Sequence, residues 1–172
     1  MKTSQKQKSL RPTANKVMEA IFNILRDQVK DARFLDLYAG TGAVGIEAIR
    51  HGASNAVFVE ASKSTAKGIV NISTKLRISE KTRVITKKAI SFIEKAELDN
   101  LTFNVIFLDP PYHTDEIMHA LSAIDKSTIL EHKGIVIAEH FTKKQLPDKF
   151  DRLNKIKDYK YGDTVLSFYE ST

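Results

Sequence analysis

The chain has 172 residues, 42% of them hydrophobic, enough for one well-buried core and too few for two ordinary domains. A formal net charge of +6 and a pI near 9.4 favour polyanionic partners, and the lack of any cysteine excludes a disulfide framework, a cysteine zinc site and thiol nucleophile chemistry. No apolar run follows the N-terminal lysines and none later approaches the roughly 20 residues of a membrane span, so the expectation is a cytoplasmic protein without a membrane partner.

Met1 to Leu10 is polar and lysine-bearing and reads as a mobile basic arm, which leaves residues 11–172 as a single domain. Thr13 is a candidate N-cap for an amphipathic helix whose apolar stripe, Val17, Ile21, Ile24 and Leu25, recurs at helical spacing to about Lys30. A short apolar strand, Arg33 to Tyr38, then runs into the turn Ala39-Gly40-Thr41-Gly42, which opens a helix ending near His51 and Gly52. The alternation continues with strand 55–60, helix 63–75, strand 83–86, helix 90–96, strand 103–109, helix 115–124 and strand 134–140. Two further strand-like runs, 153–160 and 164–170, flank Tyr161-Gly162-Asp163 with no helix between them, which predicts an antiparallel hairpin. The fold class expected is α/β: a doubly wound, Rossmann-like sheet of seven mostly parallel strands, closed by that hairpin.

The first turn carries G-x-G-x-x-G, with Gly40, Gly42 and Gly45, a pattern that by itself also announces a dinucleotide site. Gly40 and Gly42 let the backbone pass close to a flat ligand, and Gly45 lets the helix lie close to the sheet; a valine at Gly42 is expected to fill the ligand's space. Asp36, four residues before Gly40, would repel a pyrophosphate but suits a ligand bearing an ammonium and a sulfonium group. S-adenosylmethionine bears both. Its carboxylate can meet the helix N-terminus, and Glu60 at the end of the second strand can accept from its ribose diol. The expected cofactor set is Asp36, Tyr38, Ala39, Gly40, Thr41, Gly42, Gly45, Glu60 and Ala61, with Lys88 and Ala89 after the third strand near the adenine. The plainer reading makes Asp36 a turn cap and Glu60 a solvated strand end.

Asp109-Pro110-Pro111-Tyr112 follows the fourth strand, at the edge where ligands bind in open parallel sheets. An exocyclic amino nitrogen is a poor nucleophile because its lone pair is delocalised into the ring. Hydrogen bonds from the amino group to the Asp109 carboxylate and the Pro110 carbonyl would favour a pyramidal nitrogen with its lone pair aimed at the cofactor methyl. Tyr112 offers a ring on which a splayed-out base can stack, and Pro110 and Pro111 stiffen the loop. Read plainly, Asp-Pro is a common turn starter and a tyrosine after prolines is often packing. Histidines 51, 113, 119, 132 and 140 show no metal-binding spacing, so no metal is expected.

Together these residues resemble the RsmD-like 16S ribosomal RNA guanine-N2 methyltransferases. The resemblance spans Arg11 to the hairpin and rests on Arg11-Pro12-Thr13 with Val17 and Phe22-Asn23, the run Asp36 to Ala48, Arg50-His51-Gly52-Ala53, Phe58-Val59-Glu60 and Asp109-Pro110-Pro111-Tyr112. It implies S-adenosylmethionine-dependent methylation of a guanine N2 in small-subunit rRNA within the 30S subunit or an assembly intermediate, with no obligate protein partner. It also implies that Arg11 and Thr13, with Tyr112, touch substrate. Members usually carry a glycine-containing basic hairpin before the Arg-Pro-Thr segment; only Met1 to Leu10 precedes it here, so a reduced RNA-docking surface is expected. Lys2, Lys6, Lys8, Arg11 and Lys16 form a run suited to phosphate contacts, which Lys87, Lys88, Lys155, Lys157 and Lys160 could extend. Adenine-N6 methylation of DNA or another RNA uses the same chemistry, although no separate target-reading domain is visible. A nicotinamide-dependent oxidoreductase would leave Asp36 and Asp109 to Tyr112 unexplained, and a silent RNA-binding subunit would have no need of Asp109 and Tyr112.

Overall fold

The computed structural model describes the backbone of residues 4–172 and the side chains of residues 14–172. Helix α1 (Ser4–Leu25) leads through a 3-10 turn (Arg26–Val29) to strand β1 (Arg33–Leu37), then α2 (Ala43–Arg50), β2 (Asn55–Glu60), α3 (Lys63–Lys75), β3 (Thr82–Thr86), α4 (Ala89–Leu98) and β4 (Phe103–Leu108). Helix α5 (Glu116–Lys126) follows, and β5 (Leu130–Phe141), β6 (Leu153–Tyr161) and β7 (Thr164–Ser171) complete the chain. The strands form one seven-stranded sheet in the order β3-β2-β1-β4-β5-β7-β6, parallel through β5 and antiparallel in the last two pairs. This is the doubly wound sheet with a terminal hairpin that the sequence predicts.

Side-chain alternation explains the three layers. Along β4, Val105 and Phe107 face one side of the sheet, while Ile106 and Leu108 face the other. On the first side α1, α2 and α3 close over the strands with Val17, Ile21, Ile46, Ile49 and Ile69; on the second α4 and α5 close with Phe92, Ile93, Leu121 and Ile124. Strands buried on both faces read as nearly continuous apolar runs, which is why they were legible. Asp125, itself buried at the end of α5, accepts hydrogen bonds from the backbone N–H groups of Asp151, Arg152 and Leu153 at 2.7–3.2 Å and so pins the start of β6 to that helix.

Three boundaries differ from expectation. The backbone is already helical at Ser4, so Thr13 lies inside α1 and is no N-cap. Lysine and glutamine propagate a helix well, so the polar, lysine-bearing run over Met1 to Leu10 carries no mark of where the helix starts; Met1 to Thr3 lie outside the described residues. Helix α1 also stops at Leu25, where Arg26 takes a left-handed φ of 49°. Strand β5 begins at Leu130 rather than Gly134, because Glu131 to Lys133 are polar and form an irregularity: Leu130 pairs with Phe103, and the ladder resumes only at Ile135 opposite Val105. Among the described residues no helix is long and apolar enough to cross a membrane.

Candidate active site

The strand order reverses between β1 and β4, and ligands of doubly wound sheets bind at the carboxyl ends of strands at such a switch point. The turn after β1 stands there with Tyr38, Gly40 and Gly42 all at positive φ (61°, 56° and 78°). A Cβ on Gly40 would meet nothing within 4 Å, so this glycine faces open space beside the sheet edge. Gly42 does not. Its Cβ would lie 3.0 Å from Ile69 Cγ2 and 3.3 Å from Phe58 Cε1, toward the core, and the expectation that a valine there fills ligand space is corrected: the glycine serves the turn's backbone conformation. Gly45 behaves as expected, since a Cβ would fall 2.8 Å from Phe58 Cζ and push α2 off the sheet.

Two cavities flank this turn. The larger, about 780 Å³, is lined by Glu60 and Ala61 from the end of β2, Lys88 and Ala89 at the start of α4, and Asp109 to Tyr112 after β4. The smaller, about 290 Å³, lies between α1 and the strand ends and brings Asp36, Ala39, Gly40 and Thr41 against Asn15 and Glu139. Tyr38 and Asp109 line both. Every residue expected at the site is thus in or beneath this double cavity, apart from Arg11 and Thr13, whose side chains lie outside the described residues; Gly42 and Gly45 line neither cavity and shape the turn from below.

Four carboxylates dominate the electrostatics. Asp36 is buried and accepts from Gly45 N–H at 3.0 Å, so it does cap the first turn of α2 as the plainer reading had it, while also lining the smaller cavity. Burial, with the charges of Asp109 and Glu60 adding to it against the opposing Gly45 hydrogen bond, holds its carboxyl well above the usual range. Glu60 accepts from Gly40 N–H at 2.9 Å and from Ser62 N–H at 3.0 Å, which fixes its carboxylate toward the larger cavity. Asp109 is pushed up to about 7, mainly by burial and then by the charge of Glu139. Glu139 is raised by burial, an effect opposed by the Tyr112 hydroxyl, which donates to its Oε1 at 3.1 Å. Such a cavity favours a cationic ligand and offers a diol acceptor at the Glu60 end. Among the described residues no group of histidines and carboxylates is arranged to hold a metal ion.

The Tyr112 ring packs against Phe141 with centroids 6.1 Å apart at 26°, and it keeps 37% of its surface exposed, enough to leave a face for a second ring. Sequence reasoning missed Glu139; the only local signal was an acid near the end of the apolar run Gly134 to Ala138. It also missed Asn15 of α1, Glu116 and His119, which line the cavities. Of the lysines expected to extend a basic surface, Lys87 and Lys88 line the larger cavity, but Lys155 bridges Asp148 (3.1 Å) and Asp158 (3.3 Å) and donates to Leu146 O, so its charge is spent internally. Lys2, Lys6, Lys8 and the side chain of Arg11 lie outside the described residues.

Residues 2–170 match the family described as Conserved hypothetical protein 95. The chain is 32% identical over 139 residues to Ribosomal RNA small subunit methyltransferase D of Haemophilus influenzae, covering 80% of this chain and 70% of the relative. It is 28% identical over 138 residues to the protein of the same name from Escherichia coli K12, covering 80% and 68%. Among solved structures, a conserved hypothetical protein of Streptococcus pyogenes superposes with a TM-score of 0.77 at 30% identity, over 89% of this chain and 94% of that one.

Proposed function

Since the chain belongs to the RsmD-like family that the Conserved hypothetical protein 95 description covers, we propose that it methylates the exocyclic N2 of a guanine in small-subunit ribosomal RNA, using S-adenosylmethionine. The observation that carries this reading is Asp109, held at the junction of the two cavities beside the half-exposed ring of Tyr112.

The cavity fits the cofactor on its own chemistry. The larger cavity has room for an adenosine with Glu60 to accept from the ribose diol, Gly40 leaves the turn open to close approach, and the Asp36–Asp109 side offers buried carboxyls whose ionised form a cation would stabilise. When bound, S-adenosylmethionine supplies an electrophilic methyl on a sulfonium. The chain's own residues do the rest. Tyr112 stacks the base, the Asp109 carboxylate and the Pro110 carbonyl take the two amino hydrogens and hold the nitrogen pyramidal, and Asp109 or water takes the proton lost once the nitrogen–carbon bond has formed. Lys87 and Lys88 at the rim meet RNA phosphates. Arg11 and Thr13 belong to the family segment and are assigned to the substrate side on that ground alone.

An acceptor carboxylate must be ionised to take that proton, and Asp109 ionises near 7. Transfer from a saturating cofactor is therefore expected to rise as pH increases from 6 to 8, with an acid limb near 7 that a pH–rate profile will read; a flat profile over this range would remove Asp109 as acceptor.

The proposal is tested by incubating the protein and labelled S-adenosylmethionine with naked 16S rRNA, 30S subunits from cells lacking the gene, and duplex DNA, then digesting to nucleosides. N2-methylguanine in 16S rRNA is expected. N6-methyladenine, or label in DNA alone, would keep the mechanism and overturn the substrate.

A further inference from the structure

We infer that Glu139 accepts the ring N1–H of the target base, so that the adjacent carboxylates of Asp109 and Glu139 select guanine over adenine. The inference rests on the guanine-N2 reading above and supplies its specificity. Leu108 and Ala138 are register partners in the parallel pair β4–β5, so Asp109, the first residue past β4, stands beside Glu139, which is still in β5 and paired with Leu166 of β7. Both line the smaller cavity, and Asp109 lines the larger one as well. Glu139 is bound to the stacking residue itself, through the 3.1 Å hydrogen bond from the Tyr112 hydroxyl. A carboxylate has about four acceptor positions, so this bond leaves capacity for another donor.

The pairing edge of guanine presents its N2 amino group and N1–H next to each other: two donors side by side. Adenine places its amino group beside a ring nitrogen with a lone pair, a donor beside an acceptor. Two neighbouring carboxylates match the first pattern. Against the second, one carboxylate faces a lone pair, and a buried charge without a donor is far costlier than a missing contact. Burial raises the proton affinity of both acids, and the charge of Glu139 adds to that of Asp109, so the pair resists simultaneous ionisation. Two donors from one base stabilise the fully ionised pair, so base binding itself prepares Asp109 to take a proton.

The test uses Glu139→Gln in the full chain, which keeps size and removes the charge, with 30S subunits from cells lacking the gene as substrate. Expected are a loss of about 10- to 100-fold in kcat/KM for N2-methylguanine formation and S-adenosylhomocysteine affinity within about threefold of the parent, the split that a contact to the base and not to the cofactor produces. The acid limb of the pH–rate profile should also move to lower pH, because burial still raises Asp109 but the Glu139 charge that adds to it is gone. Full activity with an unmoved limb overturns the inference. If the parent protein forms N6-methyladenine instead, the underlying guanine reading has failed before any variant is compared. A second measurement needs no variant: 30S subunits assembled with 2-aminopurine at the mapped nucleotide keep the amino group and lack N1–H. They should be methylated at least about tenfold more slowly by the parent protein, and methylation at the guanine rate overturns the inference.

Discussion

Asp109→Ala lowers methyl transfer by about a thousandfold and leaves S-adenosylhomocysteine affinity within a few-fold, as read by single-turnover kinetics and by calorimetry. The large effect on rate follows from what the carboxylate does: it orients the amino group and receives its proton, two contributions realised only as the nitrogen attacks. The small effect on affinity follows because the product cofactor has lost the sulfonium charge that Asp109 would attract and its diol is met by Glu60 across the larger cavity. Stability should not fall. Asp109 has a folded-state pKa near 7, above its ordinary value, so the folded protein binds an extra proton between the usual carboxyl range and 7, and folding stability declines as pH rises through that window. At pH 8 the ionised carboxylate is a cost that alanine removes, and the variant's melting temperature there should equal or exceed the parent's. A variant that lost cofactor affinity and rate together would place Asp109 in cofactor binding instead.

Gly45→Val is the substitution with the largest expected effect on the fold. A Cβ alone would sit 2.8 Å from Phe58 Cζ, and Phe58 is fully buried on β2 with no room to retreat. Overpacking of this kind costs about 1–3 kcal/mol, and lifting α2 to relieve it also stretches the 3.0 Å hydrogen bond from Gly45 N–H to Asp36. The expected result is a melting temperature lowered by roughly 3–12 °C, with weakened cofactor binding as a secondary loss. A variant melting like the parent would show that the helix has slack the packing does not suggest.

Much of this was legible in the sequence because it is local. Strands such as β2 and β4 are short apolar runs, and their ends are marked by the residues that matter, Glu60 and Asp109. Helix α3 runs from Lys63 to Lys75 as expected, and the structure adds its cap, Ser62, whose side chain accepts from Thr65 N–H. What escaped depends on distant neighbours. Nothing near Glu139 in sequence says that β5 lies beside β4 in the register that sets it against Asp109. The direction in which Gly42 would grow a side chain depends on Ile69 and Phe58, far along the chain, so a valine there heads for the core and not for ligand space. Asp36 proved to be both cap and cavity wall, two readings that the sequence had set against each other. At the N-terminus, Thr13 has the chemistry of an N-cap, yet the backbone is helical from Ser4.

The sheet ends on β6, whose outer side pairs with no other strand of the described sheet. An open edge of this length is a template for self-association, and β6 carries the features that blunt one: Lys157 and Lys160 stand exposed along it, and its ladder slips between Lys155 and Lys157. Charges so placed disfavour the addition of a second copy strand to strand. Part of the chain's positive charge therefore serves colloidal solubility, and reading all of it as an RNA footprint would draw that footprint too large.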